Sequence, residues 1–340
     1  MSPIFLHLFL FAGSLAVSGC RPAPPDGVSV IAMPDGESGI GFDDLRFAPK
    51  IGRLMVPGGR SGHLDLIDPQ THKVTTSGDF SSEIFYFGGH DQGATSADEA
   101  DDLLVVIDRT TNELGLIDST ARKVIYSISV SSSPGYVRYV ASSSEVWVTE
   151  PDAAQIEIFS LGNRTLTRSG TIALPTGAQS LVVDSDRTRA YSHHRSDATD
   201  VVDTATRQIV ATWPNGCAAA RGIAIDLKLQ FLFAVCDNGK VSVLDGAHDG
   251  AVLSTLQLGS GTGTIDYSSS LGHLYVASAG NQKVAIIDVA SDGTLSLLDQ
   301  FTTIDDASSV GSDNRRVLYV GDPQNGDLLA YADSHAASAR

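Results

Sequence analysis

Three side chains able to ligate a metal or move a proton, Asp108, Glu150 and His194, occupy equivalent points of a recurring pattern. Each lies three residues past a large apolar residue: Val105, Trp147 and Tyr191 respectively. A mixed oxygen and nitrogen set suits a borderline divalent metal such as Zn²⁺ or Mn²⁺. Such a metal would activate water or polarise a carbonyl. The same point carries Gly58, Cys236, Ser278 and Asp322 elsewhere in the chain. Strand ends before a turn favour Asp, Ser and Gly for local backbone bonding, so turn chemistry is the plainer account. His90 sits in Gly88-Gly89-His90-Asp91-Gln92-Gly93, a Gly-bracketed polar loop. Such a loop can arch over a site and offer a ligand or an acid–base group. Arg138 and Arg221 fall in or beside predicted inner strands, where two guanidinium groups would favour a carboxylate or phosphate. Pairing with neighbouring acids is the plainer account of both. His193 and His194 are adjacent, so on a strand at most one faces such a site.

The elements that must position these residues repeat. A strand, a short polar turn and a second strand recur, closing at Asp68, Asp118, Ser160, Asp203, Asp245, Asp288 and Tyr331. The steps between these anchors are 50, 42, 43, 42, 43 and 43 residues. A period near 42 in a chain of short β-rich runs is a propeller signature. Met55, Val105, Trp147, Tyr191, Phe233, Tyr275 and Tyr319 each lie 12 or 13 residues before an anchor. They are expected to pack between neighbouring blades. The fold expected is all-β: a single seven-bladed propeller of four-stranded blades over residues 28–332. The last blade lacks an outer strand, and Val28-Ser29-Val30-Ile31-Ala32-Met33 is predicted to supply it and close the ring. Residues 333–340 read as a polar, frayed tail. In blade two, Val105 lies 37 residues after the preceding anchor, against 29 to 31 elsewhere. The extra length falls around His90, on the same predicted face as the strand ends.

The run Leu274-Tyr275-Val276-Ala277-Ser278 followed by Val284-Ala285-Ile286-Ile287-Asp288 resembles the YVTN family of β-propeller repeats. Gly222-Ile223-Ala224-Ile225-Asp226 and Val317-Leu318-Tyr319-Val320 echo it. The resemblance covers roughly residues 40–331. It implies a ring of the kind found in surface and periplasmic binding proteins, with lactone hydrolases among related seven-bladed rings. A propeller hosts many activities, so the fold alone selects none.

The N-terminus reads as an address. Ile4 to Val17 is nearly all apolar and too short to span a bilayer, as a secretory signal is. Val17-Ser18-Gly19-Cys20 resembles a bacterial lipobox, which implies a signal over 1–19 and lipidation of Cys20. A cleaved signal with an incidental Cys is the alternative. Residues 20–27 are Pro-rich and read as an extended tether. Arg21 after Cys20 implies the outer membrane, at its periplasmic side or at the cell surface. Removing Cys20 leaves Cys217 and Cys236, and an oxidising compartment favours one disulfide. Cys217 precedes the inner strand of blade five and Cys236 ends the next strand, so antiparallel pairing brings them together.

The chain has 340 residues with 40 acids, 23 Lys and Arg and a net charge of −17. A nucleic-acid partner is disfavoured, because no basic face exists to displace counterions. No G-x-S-x-G elbow, Walker A loop, H-E-x-x-H helix or C-x-x-C-H motif occurs. Two functions follow. The first is a monomeric, envelope-tethered, non-catalytic module, anchored to the membrane by its N-terminal lipid. It would bind an envelope protein, a glycan or a small ligand at its funnel and need no cofactor. The alternative is a lactonase-like hydrolase with a divalent metal on Asp108, Glu150 and His194, and His90 as acid or base.

Overall fold

The computed structural model describes residues 27–175, 177–194 and 196–339. The expected signal, Cys20 and the tether through residue 26 lie outside the described residues. Seven four-stranded antiparallel sheets form the blades of a propeller. The expected register holds throughout. Met55, Val105, Trp147, Tyr191, Phe233, Tyr275 and Tyr319 are each the third residue of a second strand, and all are buried.

Burial explains the strand patterns. Second strands such as Leu103–Asp108 and Phe231–Cys236 are buried along their whole length. They are covered on both faces by neighbouring blades and read as nearly continuous apolar runs. The outer strands Lys123–Ser129 and Gln208–Trp213 alternate between exposed and half-buried residues over most of their length, because one face meets water. The core is divided into inter-blade clusters. Trp147 packs with Leu181, Ala190 and Val202 of blade four, and Tyr275 with Val310, Leu318 and Val320 of blade seven. Each such side chain contributes about 1.5–3 kcal/mol through burial.

The ring closes as expected. Ser29–Ala32 pairs antiparallel with Asp327–Ala332, setting Val30 opposite Leu329 and Ile31 opposite Leu328. Blade seven therefore takes its outer strand from the N-terminus. Ala32 lies opposite Asp327, just past the turn that leaves the second strand, and Ser29 lies toward the other face. The chain thus enters blade seven from the face opposite the funnel. Cys217 and Cys236 are bonded, with Cα atoms 5.2 Å apart. Ala220 of the inner strand pairs with Cys236, which brings the loop carrying Cys217 beside it.

The tail departs from expectation. Rather than fraying, residues 333–339 dock on blade six. Asp333 is buried, accepts a bond from Tyr275 Oη at 2.8 Å and faces His273 Nδ1 at 2.6 Å. Ser338 N donates to Leu271 O at 2.7 Å, and Arg316 Nη1 to His335 O at 3.0 Å. Only Asp333 of this segment is buried; the rest lies on the surface, tied down by these hydrogen bonds.

Candidate functional site

Loops that lead into inner strands and loops that leave second strands open on one face. There they enclose a funnel of about 420 Å³ to which every blade contributes, through Asp43, Arg109, Tyr136, Gln179, Arg221, Thr264 and Ser309. Asp43 precedes the inner strand of blade one (Arg46–Ala48) and is 5% exposed. Its carboxylate lies 3.0 Å from His90 Nδ1 and 3.3 Å from Arg109 Nη2, and accepts a bond from Tyr136 Oη at 3.1 Å. Burial pushes this carboxyl up, but His90, Arg109 and Tyr136 together outweigh it and hold it at about 2. The adjacent carboxylate raises His90 against its own burial. Burial, then Asp43 and Asp44, raise the Tyr136 phenol. In the imidazolium form His90 Nδ1–H donates to Asp43; in the neutral Nε2–H tautomer the same nitrogen accepts from Arg109 Nη1, 2.9 Å away.

Arg109 organises this wall. It donates from Nε to Pro134 O at 2.9 Å, from Nη1 to His90 O at 2.9 Å and from Nη2 to Gly135 O at 3.1 Å. One guanidinium fork thereby joins the blade-two insertion to the loop of blade three. The other end of the insertion is held by buried Arg60, which donates to Asp35 O at 2.6 Å, Gly39 O at 2.6 Å and Glu83 O at 2.9 Å. Between these clamps Ile84, Phe85 and Phe87 are 76%, 61% and 81% exposed. The sequence reading missed Asp43, Arg60 and Arg109. Asp43 falls in the loop leading into the inner strand of blade one, where the repeat has no recurring residue type. The signal for Arg109 was a lone Arg directly after a predicted strand end.

The residues singled out from sequence divide differently from expectation. His90 reaches the funnel wall, as its loop suggested. Asp108, Glu150 and His194 are not brought together. Asp108 accepts bonds from Ser81 N at 2.7 Å, Ser81 Oγ at 2.6 Å and Thr110 N at 3.0 Å, so it anchors the insertion and its own turn. Glu150 accepts from Ser132 N at 2.8 Å, and burial, with Glu157 beside it, raises its carboxyl against its hydrogen bonds. His194 Nε2 lies 2.5 Å from Asp200 inside blade four. Among the described residues no three His, Cys, Asp or Glu side chains are grouped to hold a metal. Equal repeat positions put these residues at the same height on different blades, where each meets its own neighbours. His193 is fully buried beside Thr199, and burial lowers it to about 3, so it is neutral. Arg138 is buried and bidentate to Asp44 at 2.7 and 3.0 Å, with Leu181 O as a further acceptor. Arg221 is exposed, meets Asp237 at 3.1 Å and lines the funnel.

No protein-family model matches the sequence, and no curated protein matches it. Solved structures do. Hydrazine synthase of Kuenenia stuttgartiensis is similar at a TM-score of 0.71 and 14% identity, over 87% of this chain and 96% of that one. A chain of the mitotic checkpoint complex matches at 0.69 and 12%, over 96% and 99%. The Cps50 (Swd1) β-propeller domain of Myceliophteria thermophila matches at 0.69 and 12%, over 87% and 98%. The likeness is one of fold. At these identities it carries no activity across.

Proposed function

We propose that this protein is a non-catalytic binding module of the bacterial cell envelope, engaging a protein partner through its funnel face. The observation that carries the reading is the blade-two insertion. Ile84, Phe85 and Phe87 stand in water while Arg60 and Arg109 pin the loop on both sides of them. Exposed apolar groups on a preorganised support are the pattern of an interface anchor. Residues 79–93 carry Asp79, Glu83 and Asp91 and no Lys or Arg. The matching partner surface is an apolar pocket rimmed by basic groups. A bilayer with anionic head groups would repel the same loop. Among solved propellers of this fold, one belongs to a mitotic checkpoint complex, which is in keeping with a protein-binding ring.

The lipobox-like Val17-Ser18-Gly19-Cys20 and the YVTN-type repeat support an envelope address. A lipid on Cys20 would hold the ring by the face where the chain enters blade seven, leaving the funnel turned away from the membrane.

The test is site-specific photo-crosslinking in cells, with a photoreactive phenylalanine analogue at Phe85 and, as control, at Val252 on an outer strand. A discrete protein adduct from position 85 alone is expected. No adduct, or the same adducts from both positions, overturns the reading.

A further inference from the structure

Below the funnel lies a second cavity of about 570 Å³, which shares Tyr136, Arg221 and Thr264 with it. This volume falls in the range of small-molecule sites, roughly 300–1,000 Å³. Its wall is two-sided, and the blade register shows why. Opposite the third residue of each second strand, blades one to three carry Arg46, Asp98 and Arg138. Blades four and five carry Val182 and Ala224 in the same layer. Ile223, Ile225 and Ile265 extend the apolar side above and below.

The charged groups of the layer are satisfied, with one exception. Arg138 is held by Asp44 and backbone carbonyls. Asp98 accepts from Arg46 Nε at 2.8 Å and from Tyr139 N at 2.8 Å. Asp266, which also lines the cavity, accepts from Ser312 Oγ at 2.7 Å; burial raises its carboxyl, while Ser312, the Tyr267 backbone and the charge of Arg46 lower it. Arg46 uses only Nε. Its Nη1 and Nη2 have no hydrogen-bond partner among the described residues, and its side chain is 38% exposed on the cavity wall. A guanidinium fork with two free donors fits a carboxylate bidentately. The apolar wall facing it would take a hydrocarbon body.

We propose that the ring's axial cavity binds a small amphipathic carboxylate, its head on Arg46 and its body against Ile223, Ile225 and Ile265. This site is separate from the aromatic crest of the insertion and does not depend on any partner there.

The probes are decanoate and its cationic counterpart decyltrimethylammonium, titrated by isothermal calorimetry below their micellar range. Decanoate alone should bind, saturably and at one site per ring. Arg46→Gln should weaken it about tenfold or more. Ile225→Trp, which fills the cavity and keeps the guanidinium, should abolish binding, and thermal melts of both variants check that each still folds. Equal binding of the two probes, or decanoate binding undiminished in a folded Arg46→Gln or a folded Ile225→Trp protein, overturns the proposal. If Arg46→Gln does not fold, the Ile225→Trp result decides alone.

Discussion

The imidazole of His90 stands 3.0 Å from the carboxylate of Asp43, joining an insertion in blade two to the segment that leads into the inner strand of blade one. The pair is sensitive to pH in a defined direction. His90 is raised in the folded state, so its contribution is complete below the ordinary histidine range and is lost as pH rises through the raised value. Asp43 is lowered to about 2, so it stays ionised throughout that window. Hydrogen exchange of residues 88–92 should therefore accelerate beyond its intrinsic pH dependence between mildly acidic and mildly alkaline buffer. His90→Gln should remove the excess. Equal excess acceleration in the variant would show that the pair does not hold the loop.

The disulfide makes a simpler claim. Cys217 and Cys236 are 19 residues apart, and closing a loop of that size restricts the unfolded chain by about 3 kcal/mol. Cys217→Ser, and reduction of the native protein, should lower unfolding free energy in urea by about that amount. A change below roughly 0.5 kcal/mol would mean that the bond relieves no unfolded-chain entropy.

Period and burial made the ring legible in the sequence. The residue that packs between blades recurs with its anchor, and the two cysteines sit at a start and an end that antiparallel pairing joins. The site was less legible, because its partners share no repeating residue type. His90 was found from its loop, but Asp43 sits in the loop leading into an inner strand, where the other blades carry unlike residues such as Gly135 and Gln179, so no recurring residue type marked it. Asp108 shows the limit of repeat arithmetic. It shares a position with Glu150 and His194, yet its oxygens are taken by Ser81 of the insertion, 27 residues back, and by Thr110 N of its own turn. Each carboxylate at a strand end is satisfied by donors of its own blade's loops, which a shared repeat position does not reveal. The tail is polar and largely exposed, but it is docked rather than frayed, because Asp333 supplies an acceptor to the buried Tyr275 and His273.

Ring closure can be tested within one short strand. Ile31 is 5% exposed and packs among Ile40 and Leu328, whereas Val30 is 39% exposed. Ile31→Ala should cost about 2–4 kcal/mol. Val30→Ala should stay within about 0.5 kcal/mol. Similar losses for both would mean that the strand pairs in another register, since a slip of one residue exchanges their faces.

The proposed envelope address rests on a lipid at Cys20. Fractionation of cells should recover the wild-type protein with membranes, and Cys20→Ala should move it to the soluble fraction. Retention of the variant with membranes would remove the lipid anchor from the account. The funnel's proposed orientation would then have no support.

The tail should behave as part of the fold. Asp333→Ala leaves Tyr275 Oη and His273 Nδ1 buried without their acceptor. Each orphaned group costs about 1–3 kcal/mol. Burial pushes Asp333 up, but its bonds from His273, Tyr275 and His335 N pull it below the ordinary carboxylate range. Its contribution is therefore present above that range and disappears as pH falls through the lowered value. Urea unfolding near neutral pH should separate the variant from wild type by at least about 1 kcal/mol, and the gap should close in strong acid. Adding His273→Phe should recover part of the loss, because one of the two orphaned groups is then gone. Unfolding curves that superimpose at neutral pH would show that residues 333–339 contribute nothing to the ring.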